Sequence, residues 1–214
     1  MAPPDRYSAD ARRQVSLVVR QIKEVKMIRK FSLMVILLLL VPTLSIAQEK
    51  AKREPATKLE QFLSKKGKLI IKDFRKIGVI SGQYGTKIKI DALTIYEPGS
   101  EFQKIKGLRV EVQGAGRFET TRTSFLDMDE VESLSQAISY MIRLLEKWKD
   151  YSREYTEVIF STRGDFDLGF YQKGTSVQGF AQSGVIGAST CYFPTSEFLS
   201  IKNLIDKGIS LLKE

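Results

Sequence analysis

Two periods alternate along most of the chain. Between residues 67 and 125, apolar side chains recur at every second position. Lys87-Ile88-Lys89-Ile90 alternates charged and apolar, and Leu108, Val110 and Val112 alternate with Arg109, Glu111 and Gln113. A period of two belongs to antiparallel strands with one buried and one wet face. Turn chemistry interrupts it at Ser81-Gly82, Glu97-Pro98-Gly99-Ser100 and Gly114-Ala115-Gly116. The period then lengthens. Val131, Leu134, Ile138, Met141, Ile142, Leu145 and Trp148 fall on one side of a helix. Asp127, with Glu130 three residues on, has the form of a capping box at its start.

The same plan then repeats. Residues 155–162, 166–172, 175–181 and 185–193 read as four short strands. Arg163-Gly164-Asp165, Lys173-Gly174 and Gln182-Ser183-Gly184 are hairpin connections between them. Pro194-Thr195-Ser196-Glu197 opens a last helix with Phe198, Ile201, Leu204, Ile205, Ile209 and Leu212 as its stripe. At an offset of 67 residues Glu130 falls on Glu197, Ser133 on Ser200, Ile138 on Ile205, and Leu144-Leu145 on Leu211-Leu212. A short helix at 57–66, apolar at Leu59, Phe62 and Leu63 and stopped by Gly67, precedes the first strand. The expected fold class is α+β: an antiparallel, β-rich single domain at 57–214 in two halves, 57–150 and 151–214. Each half is four strands and then a helix (β4α-β4α), with the helices packed on the sheets.

The N-terminal region follows neither period. Residues 33–41 are an unbroken apolar run, preceded by Arg29 and Lys30 and broken by Pro42. Ser45 and Ala47 place small residues at −3 and −1 of a cleavage site. This is the layout of a secretory signal peptide over 27–47, cut between Ala47 and Gln48. The run is short of the roughly 20 apolar residues that span a bilayer; the alternative is an uncleaved signal-anchor. Residues 1–26 read as a gene-model extension ahead of a start at Met27, or as a long n-region, and 48–56 as a flexible leader. The expected location is periplasmic or secreted, with no membrane span in the mature chain.

Export changes the charge balance. The 214 residues carry 34 Lys+Arg and 25 Asp+Glu, a net of +9. Eight of those bases and three of the acids lie before Gln48, which leaves the mature chain at +4. That is a mild solubility effect and no nucleic-acid signature. The chain has no His and one Cys. Histidine-dependent nucleophilic catalysis, imidazole metal sites, an internal disulfide and Cys clusters for zinc or iron–sulfur are thereby excluded. No cofactor-binding loop is present, and no cofactor or metal is expected.

Several local features carry candidate chemistry. Arg163-Gly164-Asp165 spells the tripeptide that integrins read, in a position where Gly-Asp is ordinary turn chemistry. Cys191 lies in an alternating stretch, where a buried thiol behaves as a small hydrophobe. Asp127, Asp129, Glu130 and Glu132 cluster where negative charge favours a helix N-terminus. Asp165 and Asp167, on one side of a strand, are a thin basis for a carboxylate-dependent hydrolase. Basic residues gather at Lys65, Lys66, Lys68, Lys72, Arg75 and Lys76, and aromatics crowd the second half. Basic groups beside stacked aromatics hold single-stranded nucleic acid. The candidate ligand-binding residues are therefore Lys66, Lys68, Phe166, Tyr171 and Tyr192.

Two consecutive four-strand-plus-helix units resemble the order of elements in the Whirly family of single-stranded DNA binders. Lys66-Gly67-Lys68-Leu69 resembles the start of that family's lysine-glycine-lysine motif. The resemblance covers these four residues and the topology, and it implies a nucleic-acid ligand, against the export signal. Fold alone does not carry function. The expectation is an exported, non-enzymatic binding or structural module, with a protein or small ligand of the cell envelope as partner. A single-stranded nucleic-acid-binding domain is the alternative.

Overall fold

The alternating segments build two separate antiparallel sheets. The computed structural model describes residues 57–115 and 120–214. The signal segment, the cleavage site at Ala47 and Gln48, residues 1–26 and the leader lie outside the described residues. The first sheet is β1 (Ile71–Ser81), β2 (Lys87–Tyr96), β3 (Ile105–Gln113) and β4 (Thr121–Asp127), in that order. The second is β5 (Arg153–Ser161), β6 (Phe166–Gly174), β7 (Ser176–Ser183) and β8 (Ser189–Phe193), again in order. Each sheet is followed by its helix, α2 (Met128–Trp148) after β4 and α3 (Glu197–Lys213) after β8; a short α1 (Lys58–Leu63) precedes β1. The architecture is the expected α+β arrangement, with helices packed on the sheets.

Strand parity explains the core. On the first sheet Ile88, Ile90, Leu108, Val110, Val112 and Leu126 turn to one face, and on the second Phe166, Leu168, Phe170, Ala181, Cys191 and Phe193 do the same. The two faces and both long helices close on a single buried cluster. Phe198, at the start of α3, meets Phe170 and Phe193 edge-on with ring centroids 6.2 and 5.4 Å away. Such edge-to-face pairs add about 0.5–1.5 kcal/mol each beyond area burial. Val131, Leu134, Ile138 and Met141 of α2 are buried, and so are Phe198, Ile201, Ile205 and Gly208 at the positions 67 residues on. The helices run antiparallel, joined by Glu132–Lys213 at 3.0 Å and Ser135–Asp206 at 2.5 Å.

The outer face of the first sheet is closed in two ways. At one end α1 lays Leu59 and Phe62 over Leu93 and Ile95, burial that contributes about 1.5–3 kcal/mol per side chain. Across the middle runs a charge ladder. Arg109 lies 2.9 Å from both Asp91 and Glu111, and Lys89 lies 3.2 Å from Glu111 and 3.5 Å from Asp91. The Arg109 guanidinium also covers the Phe74 ring at 4.7 Å.

Most boundaries differ from the periodicity by one to three residues, and the start of the last strand differs by four. The alternation extends that strand over 185–188, yet β8 begins at Ser189. Gly184 and Gly187 adopt φ of 87° and 64°, and Val185 and Ile186 stand in solvent. The apolar pair sits at the tip of the β7–β8 connection, where periodicity alone cannot separate it from a strand. Among the described residues no helix is long and apolar enough to cross a membrane.

Candidate functional site

Among the described residues, the outer face of the second sheet has no helix to cover it in the way α1 covers part of the first. Its side chains follow from register. Glu157 faces Tyr171 across β5 and β6, and Tyr171 faces Gln178 across β6 and β7. In the next row Gly169 faces Phe180, and Phe180 faces Tyr192. Gly169 leaves the middle of the face without a side chain, and the Phe180 ring reaches to 3.2 Å from where its Cβ would stand. Around this gap lies an open depression of about 380 Å³, lined by Tyr155, Glu157, Tyr171, Phe180, Gln182, Thr190 and Tyr192. Tyr155 and Tyr171 stack with ring centroids 6.1 Å apart and planes 29° from parallel. The Tyr155 hydroxyl donates to Glu157 Oε1. That bond raises the Tyr155 phenol above its ordinary range, helped by burial and by the neighbouring Glu157, Tyr171 and Tyr192. Tyr155 thus stays neutral and able to donate at neutral pH. The β1–β2 turn comes up beside the face, where Gln83 Nε2 donates to Gln178 Oε1 at 3.4 Å.

The candidate residues fall in three places. Tyr171 and Tyr192 line the depression, and Tyr192 is 40% exposed. Phe166 is 2% exposed and belongs to the core, on the opposite face of the strand that carries Tyr171; it is no part of a ligand surface. Lys66 and Lys68 lie in the connection between α1 and β1, ahead of the first sheet. Lys68 lies 3.0 Å and Lys65 3.4 Å from Glu97, and the Lys68 hydrogen bond leads in drawing the Glu97 carboxyl below its usual range. Arg75, further along the basic stretch, is bound to Glu214 at 2.7 Å. Among the described residues neither Lys nor Arg lines the depression, so the fold does not bring the basic stretch and the tyrosines together. Tyr155, Glu157, Phe180 and Gln182 were missed by sequence reasoning, although their parity along β5 and β7 marks them as solvent-facing.

The other features take structural roles. Arg163 Nη2 lies 2.8 Å from Asp129, 3.3 Å from Glu130 and 3.6 Å from Asp127. Its N–H donates to Glu130 at 2.6 Å. At Asp129 partial burial pushes the carboxyl up, but the Arg163 hydrogen bond and charge outweigh it and hold the group below its ordinary value. The acidic cluster is therefore matched by a fixed guanidinium, and among the described residues no group of three acids or cysteines could hold a metal ion. Asp165 sits in the turn at φ 58° and Asp167 on the outer face of β6. Cys191 is buried, with Thr86 Oγ1 donating to its sulfur at 3.2 Å. Burial pushes this thiol up, against a smaller opposing effect of the Thr86 bond. Since the thiolate is the reactive form, native protein should resist iodoacetamide and label only as it unfolds. Labelling as fast as in denaturant would overturn the assignment of Cys191 to the core.

No protein-family model matches the chain, and no curated protein matches it in sequence. The functional reading rests on the site itself.

Proposed function

We propose that the chain is an exported, non-enzymatic binding module of the cell envelope, periplasmic or secreted, whose contact surface is the tyrosine-lined outer face of the second sheet. The observation that carries this reading is the depression framed by Tyr155, Tyr171 and Tyr192. Tyrosines offer large contact area at low entropic cost and a polar tip, and Gln182, Thr190 and Glu157 add hydrogen-bonding groups beside them. A non-enzymatic role is supported by the lack of any His and by the buried, protonated state of the one thiol. Export is supported by the three-part segment at 27–47. The nucleic-acid alternative asks for cations beside the stacked rings, and here the rings stand beside a carboxylate.

Two measurements on the full chain test this. N-terminal sequencing after expression in a secreting host should find Gln48 as the first residue, and a start far from it overturns export. A gel shift with single-stranded oligonucleotides should show no retention at physiological salt. Tight binding there would replace this reading with the nucleic-acid one, because phosphate contacts weaken steeply as salt rises.

A further inference from the structure

The outer faces of the two sheets treat their charges differently. On the first sheet Asp91 and Glu111 are each met by Arg109 and Lys89 within 3.5 Å. On the second, Glu157 is bonded by the Tyr155 hydroxyl, and among the described residues no Lys or Arg lies within ion-pair distance of it. Arg153, at the start of the same strand, is turned onto the Trp148 ring at 3.8 Å. An uncompensated carboxylate thus stands among tyrosine rings. The faces of such rings carry negative charge and attract cations, so rings and carboxylate act with the same sign.

We propose that this depression binds a cationic organic group, an alkylammonium or guanidinium end, against Tyr155, Tyr171 and Tyr192 with Glu157 as its counter-charge. The proposal rests on the reading of this face as the binding surface and names the chemistry of its ligand. Size agrees, since about 380 Å³ is near the lower end of ligand pockets and suits a side-chain end or a small ammonium compound. Charge excludes phosphates and other anions, which Glu157 would repel. The hydroxyl of Tyr155 remains protonated at neutral pH and keeps Glu157 in place beside the rings. Two sources carry this chemistry, the Lys or Arg side chains of a peptide and a free quaternary ammonium compound.

The test is NMR titration of the full chain, read on the tyrosine ring resonances. The probes are choline, its uncharged isostere 3,3-dimethylbutanol, N-acetyl-arginine amide, N-acetyl-lysine amide and cellotetraose. Choline or one of the basic amides should shift the rings of Tyr155, Tyr171 and Tyr192, with the uncharged isostere about tenfold weaker. Glu157→Gln should weaken the cation about three- to tenfold, and Tyr171→Ala should abolish its effect, with the melting temperature of both variants unchanged. A preference for choline identifies the free ammonium source, and a preference for the amides the peptide source. Equal affinity for choline and its isostere, or no loss in Glu157→Gln, overturns the cation assignment. Ring shifts with cellotetraose alone overturn it too but leave the binding face standing. Silence of these rings with every probe overturns both.

Discussion

Replacing Asp127 by alanine is expected to destabilise the fold by about 3–5 kcal/mol. The residue begins α2, where its backbone N–H donates to Glu130 Oε2 at 3.3 Å. In addition its carboxylate accepts the N–H groups of Lys58 and Leu59 at 2.8 and 3.2 Å, the first donors of α1. One 4% exposed carboxylate thus joins the starts of two helices, with Arg163 3.6 Å away. Removing it strands two donors, at about 1–3 kcal/mol each when buried, and removes an N-cap worth about 1 kcal/mol. For a chain of this size the melting temperature should fall by roughly 10 °C or more. Asp127→Asn, which keeps one acceptor oxygen, should lose clearly less. Ser133→Ala on the exposed side of α2 should stay within about 0.5 kcal/mol. Thermal denaturation of the three variants checks this, and a loss below about 1 kcal/mol for Asp127→Ala would show that α1 is held by its apolar contacts alone.

Asp127 also marks what a linear reading can see. Its role at α2 was legible because the partner, Glu130, is three residues away. Its role at α1 joins residues 68 and 69 positions apart, and no local pattern encodes that. The strands and helices were legible for the same reason, since a period of two or of 3.6 is a local property. The surface was half legible. Phe166 and Tyr171 are five residues apart in one strand, so they must point to opposite faces, and parity alone could have separated the core ring from the surface ring. Tyr155 has the parity of Glu157 on its strand, so the same count places it on the outer face. The basic stretch looked like half of a nucleic-acid surface until the fold put it on the other sheet, with Lys68 paired to Glu97.

Gly164→Ala is the second substitution expected to cost heavily, about 3 kcal/mol. Gly164 is buried in the β5–β6 turn, and a Cβ there would stand 2.1 Å from the Phe125 carbonyl oxygen and 3.2 Å from its nitrogen. The obstacle is the backbone of β4, held in register by the pairing of Phe125 with Arg109, so no side-chain rotation relieves the clash. Either β4 leaves its ladder or the turn lifts and takes Arg163 off Asp129 and Glu130. Asp165→Asn separates this from the recognition reading of the same tripeptide. Asn tolerates the left-handed φ of 58° at that position, so stability should change by less than about 1 kcal/mol. A receptor-read tripeptide needs an exposed, movable Arg and Asp, with a glycine chosen for flexibility. Here the Arg is fixed by three carboxylates, and the glycine is required because a neighbouring strand occupies the space of its missing side chain. A Gly164→Ala protein that melts with the parent would mean the turn can lift without cost, and the tripeptide would regain the freedom a recognition loop needs.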